Sequence, residues 1–321
     1  MLKLKDIIQA HHRIQPYIRT TPLVYSDALS ECSGAKVWLK LESRQFTGSF
    51  KTRGALHKLI SLDDKKLNRG VVTASAGNHG LGVAFAAQKL GLTNVTIFVP
   101  KTAPTAKVTK LARFPVTLKQ VGQTYEDAHQ AAEQFAIATG ATYISAYDDS
   151  DVIAGAGTVG LEIITELPEA DTIIAPVGGG GLIAGTAVAV KGVNPGSRLI
   201  GVQPAASPAA KLSFEQNQPI DPYDHEPTIA DGLAGGFGAY PFHIARTLID
   251  DIWLFDEDAL RRAIFTLIDQ EQLVVEASGA IAIAPLLDDN YNLKNQVVVC
   301  LLTGANIDSR LLANILSQNA N

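Results

Sequence analysis

Short β-branched runs alternate with longer helix-type patterns along most of this 321-residue chain. Several of these runs are apolar on both faces, which is typical of parallel strands that helices cover on each side. The alternation therefore predicts an α/β fold. The predicted strands are 36–42, 70–75, 94–100, 116–121, 172–177, 198–203, 251–255 and 296–302, and the predicted helices are 77–90, 124–139, 152–166, 182–191 and 257–272.

The composition describes a globular protein that is long enough to hold one large or two modest domains. Hydrophobic residues make up 46% of the chain, charged residues 18%, and the net charge is −5. This balance gives no reason to expect nucleic acid or an anionic membrane as a partner. Residues 172–190 carry no charge, but Pro176 and four consecutive glycines interrupt them. We interpret this segment as a buried strand, a loop and a buried helix rather than a membrane span.

The beginning of the chain and its two cysteines predict a cytoplasmic location. Residues 1–8 are charged and amphipathic and lack the apolar core of an export signal. Cys32 and Cys300 have neither metal-ligand nor redox spacing. Cys300 lies in an apolar run and is predicted to be a buried, reduced thiol. Both cysteines fit a reducing compartment.

Lys51 is the first candidate for chemistry. It stands where a glycine-bearing loop, residues 47–50, runs into a helix, and the aromatic Phe50 precedes it. A lysine amine in such a place can form an imine with a carbonyl cofactor.

The second motif is the run of four glycines, Gly178, Gly179, Gly180 and Gly181, between an apolar strand and an apolar helix. Free backbone N–H groups at a helix start make a phosphate cradle. Residues 179–184 also fit the dinucleotide pattern G-x-G-x-x-A, but the next strand ends at Gln203 and Pro204 without the acidic residue that this pattern requires. A nicotinamide cofactor is therefore a minor alternative, and a purely structural turn stays open. Combined with Lys51, the loop points to pyridoxal phosphate (PLP).

The third motif is Ser75-Ala76-Gly77-Asn78-His79-Gly80, between a predicted strand and a predicted helix. Such a turn offers N–H groups to a substrate carboxylate, and Asn78 can hydrogen-bond a cofactor oxygen. The alternative is that Ser75 or Asn78 merely caps the helix, and that His79 is structural. Residues 218–240 are rich in Pro, Gly and Asp and predict a loop near a site or an interface.

A series of segments resembles the threonine/serine dehydratase and serine racemase family of PLP-dependent enzymes, which have fold type II. The segments occur in order and with family-like spacing at 47–55, 75–79, 152–155, 178–181, 229–233, 276–280 and 302–306. The resemblance implies two open, mostly parallel sheets flanked by helices in three αβα layers. Within the family, the chain resembles the compact catabolic threonine dehydratases.

The resemblance also assigns roles to individual residues. Lys51 would carry PLP through an imine bond and then act as the base for the α-proton. The residues expected around the cofactor are Phe50, Lys51, Asn78, Gly178, Gly179, Gly180, Gly181, Gly232, Glu276 and Thr303. The residues expected to hold the substrate carboxylate are Ser75, Ala76, Gly77, Asn78 and His79.

The implied activity is that of an ammonia-lyase, which removes the β-hydroxyl of L-threonine, and of L-serine, to yield a 2-oxo acid and ammonia. Thr303 matches the position facing the pyridine nitrogen, and a neutral hydroxyl there disfavours transamination because it cannot hold that nitrogen protonated. Ala76 replaces a serine of the racemases, and its methyl group cannot deliver a proton, so dehydration is expected rather than racemisation. A 3-hydroxyaspartate dehydratase is a weaker alternative because no arginine is assignable to the second carboxylate. An alternative of another class is a non-catalytic PLP-binding regulatory protein.

Departures from the family pattern bear on metal and regulation. Metal-binding relatives carry carboxylates where this chain has Gln203 and Ala209, so no metal site is expected. The compact length predicts no regulatory domain of the biosynthetic type, and Leu81 in place of a glutamine disfavours nucleotide activation.

The expected organisation has two domains with the cofactor in the cleft between them. Residues 1–69 and 149–321 would form a large PLP-binding domain, and residues 70–148 a small one. The expected partners are a small amino-acid substrate and further copies of the chain, as a dimer or tetramer.

Overall fold

The computed structural model describes residues 2–318, and ten strands and fourteen α-helices lie within them. The strands are β1 (Leu23–Ser26), β2 (Lys36–Lys40), β3 (Val71–Ala74), β4 (Val95–Val99), β5 (Thr117–Gln120), β6 (Thr142–Tyr143), β7 (Thr172–Pro176), β8 (Arg198–Pro204), β9 (Asp251–Phe255) and β10 (Val297–Leu301). The helices are α1 (Leu4–Ile14), α2 (Asp27–Ser33), α3 (Lys51–Ser61), α4 (Asp64–Arg69), α5 (Asn78–Lys89), α6 (Thr105–Leu111), α7 (Tyr125–Thr139), α8 (Ser150–Glu166), α9 (Gly181–Val193), α10 (Ala209–Glu215), α11 (Ala239–Ala245), α12 (Glu257–Glu271), α13 (Ala277–Ala280) and α14 (Ser309–Gln318).

The strands form two open sheets. The six-stranded sheet has the order β1-β2-β10-β7-β8-β9, and its pairs are parallel apart from β1 with β2. The four-stranded sheet has the order β5-β4-β3-β6 and is parallel throughout. All eight predicted strands and all five predicted helices are present, and the predicted α/β class with mostly parallel sheets is confirmed.

Central strands of the large sheet are apolar on both faces because helices cover both. Ile173 and Val299 pack in a core cluster with residues of α8 and α9. Their neighbours Ile174 and Val298 point the other way and pack in a second cluster with residues of α12. This alternation along each strand produces the three layers.

The small sheet follows the same rule. Val71 packs with apolar residues of α3 and α5, whereas Val72 packs with Ala128 and Ala132 of α7 on the opposite face. All four strands of this sheet come from residues 71–143, and the division of the chain into two domains stays a prediction. Within residues 2–318, no helix combines the length and the apolar character needed to cross a membrane.

The carboxyl ends of the parallel strands hold the predicted motifs. The turn at Ser75 follows β3, the glycine loop follows β7, and Thr303 follows β10. In open α/β sheets this edge forms the crevice in which ligands bind. The topology thus gathers segments that are far apart in the sequence.

A buried cluster of four charges fixes α3 within the molecule. The guanidinium of Arg53 lies 2.8 Å from Glu42 Oε1 and 2.7 Å from Glu162 Oε1. Lys40 Nζ lies 2.7 Å from Glu162 Oε2, and the lysine and arginine side chains are fully buried. Burial alone would lower the pKa of Arg53, but the two carboxylates outweigh it and raise that pKa. The cluster joins the loop after β2, α3 and α8.

Neutralising Glu162 should destabilise the fold. Glu162→Gln leaves Lys40 and Arg53 with a single buried carboxylate, and we expect a loss of about 3–5 kcal/mol in the free energy of unfolding by urea. Lys211→Gln is the control, because its 3.4 Å pair with Asp251 is solvent-exposed and should contribute less than about 1 kcal/mol. Equal effects of the two substitutions would contradict this account of the cluster.

Candidate active site

A cavity of about 1480 Å³ opens at the carboxyl ends of β3, β7 and β10. The structure places every predicted site residue on its wall: Phe50, Lys51, Ser75, Ala76, Gly77, Asn78, His79, Gly178, Gly179, Gly180, Gly181, Gly232, Glu276 and Thr303. The fold therefore brings these residues together around one cavity.

Lys51 is the first residue of α3 and is held against the segment that contains Thr303. The backbone N–H of Phe50 donates to the Thr303 carbonyl at 3.2 Å, and Ser49 forms a bridge with Gly304. Just before them, Thr47 and Gly48 both have positive φ, 62° and 76°, which turns the chain sharply into the helix. The two motifs thus form one rigid unit.

The amine of Lys51 points into the cavity. Its Nζ donates to the Ala146 carbonyl at 2.9 Å and lies 5.2 Å from the centre of the Phe50 ring. Burial lowers the pKa of Lys51 to about 8, and the charge of Glu276, which would raise that pKa, offsets only part of the effect. A larger fraction of this amine is therefore uncharged near neutral pH than for an ordinary lysine.

The glycine loop leads directly into α9. Gly180 has φ of 92°, and no side chain of the described residues caps the helix after it. A Cβ atom at Gly179 would overlap the ring of Tyr147, and one at Gly180 would overlap Phe237. Only glycine fits here, and the uncapped helix start faces the cavity with its N–H groups, as a phosphate requires. These residues fit a phosphorylated aldehyde such as PLP.

The turn at Ser75 also precedes an uncapped helix. α5 begins at Asn78 after Gly77, and within residues 2–318 no side chain caps it. Ser75 Oγ instead accepts from the N–H of Gly77 at 3.2 Å. The interpretation of Ser75 or Asn78 as a helix cap is therefore wrong. The first turn of α5 keeps its N–H groups available to an anion.

The imidazole of His79 is hydrogen-bonded within the protein. Its Nε2 lies 3.0 Å from Thr73 Oγ1 and 3.2 Å from the Ile144 carbonyl. Burial and the nearby Lys51 lower the pKa of His79 to about 3, so its ring is neutral. The imidazole holds α5 against β3, and the substrate contact predicted for His79 is left to its backbone N–H.

Asn78, Glu276 and Asn306 form a hydrogen-bonded triad beside the cavity. Asn78 Nδ2 donates to Glu276 Oε1 at 2.6 Å, and the N–H of Asn306 donates to Glu276 Oε2 at 3.1 Å. Asn306 Nδ2 donates to Asn78 Oδ1 at 2.7 Å and so orients that amide. Burial, together with the charge of Asp231, raises the pKa of Glu276 to about 7.

Ser278 positions the two remaining residues of the predicted cofactor site. Thr303 Oγ1 donates to the Ser278 carbonyl at 3.3 Å. Gly232 donates its N–H to Ser278 Oγ at 2.9 Å. A neutral hydroxyl at Thr303 therefore has a defined orientation at the cavity wall.

Sequence reasoning missed three contributors to this site. Ala146 supplies the carbonyl that holds the Lys51 amine, and Asn306 orients Asn78. Tyr147 lies against the glycine loop and donates to Asp221 Oδ2 at 2.9 Å. The only indication of these residues in the sequence was their nearness to recognised motifs. Asn306 ends the segment 302–306, and Ala146 and Tyr147 stand shortly before α8. The prediction that residues 218–240 lie near a site is confirmed, because Asp221 and Gly232 line the cavity.

The fold and the site define an enzyme that binds a phosphorylated carbonyl cofactor, and comparison with known proteins agrees. Residues 14–304 match the family model described as pyridoxal-phosphate dependent enzyme, and the chain belongs to that family. Its cofactor is PLP.

Relatives cover almost the whole chain. The L-threonine ammonia-lyase of Thermotoga maritima is 37% identical over 99% of this chain and 79% of its own length. The catabolic L-threonine dehydratase TdcB of Escherichia coli strain K12 is 39% identical over 97% of this chain and 95% of its own length. The solved structure of maize serine racemase superimposes with a TM-score of 0.91 at 31% identity, covering 99% of this chain and 98% of that chain.

The acidity of Lys51 is open to measurement in the cofactor-free protein. Competitive labelling with acetic anhydride should show Lys51 reaching half-reactivity near pH 8, because burial lowers its pKa to about 8. Lys58 in the same helix is the control: its neighbours Asp149 and Asp151 outweigh burial and raise its pKa, so its labelling should require more alkaline pH. Labelling of both lysines over the same pH range would contradict the effect of burial.

Substitution in the glycine loop should weaken PLP binding. Gly180→Ala places a methyl group against Phe237 at positive φ, and we expect at least about a tenfold rise in the dissociation constant. Gly91→Ala is the matched control, since Gly91 also has positive φ but open space around it. Titration of the apo protein with PLP, followed by absorbance, measures both. Unchanged affinity in Gly180→Ala would exclude the loop as the phosphate cradle.

Proposed function

We propose that this protein is a PLP-dependent ammonia-lyase that removes the β-hydroxyl of L-threonine, and of L-serine, to yield a 2-oxo acid and ammonia. The observation that carries the proposal is the position of the Lys51 amine. It lies in a cavity walled by two uncapped helix starts, those of α5 and α9. The names of the Thermotoga maritima and Escherichia coli relatives support threonine as the substrate.

The starts of α5 and α9 would each bind one negatively charged group. The loop Gly178–Gly181 would hold the cofactor phosphate, and the turn Ser75–His79 would hold the substrate carboxylate. Backbone N–H groups at the first turn of a helix favour anions through both hydrogen bonds and the helix dipole. A substrate bound in this way has its α-carbon oriented within the cavity.

Lys51 would hold PLP through its amine and would afterwards remove the α-proton. A general base works best when its pKa is near the working pH, and burial lowers the pKa of Lys51 to about 8. The Ala146 carbonyl, 2.9 Å from Nζ, keeps the amine directed into the cavity. PLP, when bound, supplies an aldehyde for the amine and a ring that withdraws electrons from the α-carbon.

The cofactor ring would lie between Phe50, Asn78, Gly232, Glu276 and Thr303. Asn78 would meet the ring oxygen, because Glu276 and Asn306 fix its amide. Thr303 would offer a neutral hydroxyl to the ring nitrogen, which limits how strongly that nitrogen holds a proton. This environment favours elimination over transamination.

A serine racemase is the second candidate, since the maize enzyme has a similar structure. Ala76 argues against it, because a methyl group lines the cavity where a proton donor would be needed on the second face of the substrate. A 3-hydroxyaspartate dehydratase lacks an arginine on the described cavity wall for the second carboxylate. A non-catalytic PLP-binding regulatory protein would have no use for a substrate-sized cavity beside Lys51.

The two-domain organisation belongs to the same proposal. Residues 70–148 would form the small domain around the four-stranded sheet, and closure over the cavity would exclude water from the reaction. The family resemblance supports a homodimer or homotetramer. The two unpaired cysteines, Cys32 and Cys300, support a location in the cytoplasm.

Release of 2-oxo acid from a panel of β-hydroxy amino acids tests the function. We expect turnover of L-threonine and L-serine, and Lys51→Ala should lower it by at least about 10³-fold because it removes the base. Lys211→Gln, far from the cavity wall, is the control. Full activity of Lys51→Ala would refute the assignment. A chiral assay with L-serine should show no appreciable D-serine, and rapid racemisation would favour the second candidate.

A further inference from the structure

Negative charge predominates on the wall of the cavity. Among the described residues that line it, three lysines face five carboxylates and no arginine is present: Lys51, Lys107 and Lys110 against Glu126, Asp221, Asp224, Asp231 and Glu276. One substrate carboxylate would bind at the start of α5. A second carboxylate would meet an excess of like charge.

The two lysines besides Lys51 both come from α6 and both have partners. Lys107 Nζ lies 2.7 Å from Asp231 Oδ2. Lys110 Nζ donates to Asn306 Oδ1 at 3.3 Å. A ligand carboxylate that approaches either amine would therefore compete with a partner on the cavity wall.

The Lys107–Asp231 pair lies close to the reacting region. Asp231 directly precedes Gly232, whose N–H is held by Ser278. Burial is the main cause of the raised pKa of Glu276; the charge of Asp231 adds to it and the charge of Lys107 opposes it, in keeping with the position of both beside the triad. Both side chains keep part of their surface exposed, 35% for Lys107 and 67% for Asp231. A dissolved anion could thus compete for the same amine.

We propose that Asp231 determines substrate specificity by occupying the amine of Lys107 and so excluding β-hydroxy amino acids that carry a second carboxylate. This inference rests on the proposed function and narrows its substrate class to monocarboxylates such as threonine and serine. Asp231 acts as a built-in carboxylate on Lys107, whose charge would otherwise be available to the second carboxylate of 3-hydroxyaspartate.

Removing the charge of Asp231 should release Lys107 to a ligand. Asp231→Asn keeps a side chain of nearly the same size and removes one negative charge from the cavity wall. Asp308, another carboxylate of the chain, already accepts from the backbone N–H groups of Arg310 and Leu311. The second carboxylate of 3-hydroxyaspartate can then take the place of Asp231 beside Lys107.

The kinetic test compares kcat/KM for 3-hydroxyaspartate with that for L-threonine. In Asp231→Asn we expect this ratio to rise roughly fivefold or more, which corresponds to about 1 kcal/mol for a partly exposed pair. Adding Lys107→Gln to that variant should abolish the gain. Asp224→Asn is the matched control, because it removes a cavity carboxylate that has no lysine partner in the described structure.

A binding test separates this inference from the proposed function. Calorimetry with succinate on the PLP-loaded protein should show tighter binding in Asp231→Asn than in the wild type, and adding Lys107→Gln to that variant should abolish the gain. If wild-type protein releases no 2-oxo acid from any substrate, the proposed function fails while succinate still decides the role of Asp231. An equal gain in Asp224→Asn and Asp231→Asn, a gain that survives the addition of Lys107→Gln, or succinate binding unchanged in Asp231→Asn would each overturn the inference.

Discussion

The buried contact of Arg53 with Glu42 and Glu162 holds the structure around the active site together. Arg53 lies two residues after Lys51 on α3, so whatever positions the guanidinium also positions the amine. The backbones of α3 and α8 also lie in close contact beside Arg53, because a Cβ atom at Gly54 would be only 2.8 Å from the Val152 carbonyl oxygen. Buried charges tolerate few arrangements, since each must stay paired. The first turn of α3 is therefore rigid where the chemistry needs a defined position.

Burial tunes the two titrating groups of the site in opposite directions. It lowers the pKa of Lys51 and raises that of Glu276, because desolvation disfavours the charged form of each. More of the Lys51 amine is therefore uncharged near neutral pH, and less of the Glu276 carboxyl group is ionised, while its hydrogen bonds with Asn78 and Asn306 remain. In the proposed function, the helix starts with free N–H groups would supply positive potential for the phosphate and the carboxylate. The backbone would then offset part of the negative charge that the side chains bring to this cavity.

Strong patterns in the sequence were sufficient for most of the fold. Most of the eight predicted strands were recognisable as apolar runs, whereas β5 (Thr117–Gln120) is short and partly exposed and was recognised with the valines that flank it, Val116 and Val121. β1 was missed because it is four residues with a half-exposed pattern, and β6 because it has two residues. The Arg53 cluster was also missed, since nothing local distinguishes a buried ion pair from charges on a surface. Tyr147 and Ala146 escaped notice because their roles depend on the loop and helix opposite them.

The amino-acid sequence by itself determined the α/β class and singled out the glycine loop and Lys51 as the candidate reactive lysine, because periodicity and backbone freedom are local properties. It also carried the resemblance that identified the cofactor. Only the tertiary structure decided that His79 turns inward, that Asn306 orients Asn78 and that Lys107 is occupied by Asp231. The Asn306–Asn78 and Lys107–Asp231 pairs join residues more than 100 positions apart, and the His79 ring also reaches the Ile144 carbonyl, so tertiary packing is needed to bring these groups within hydrogen-bonding distance.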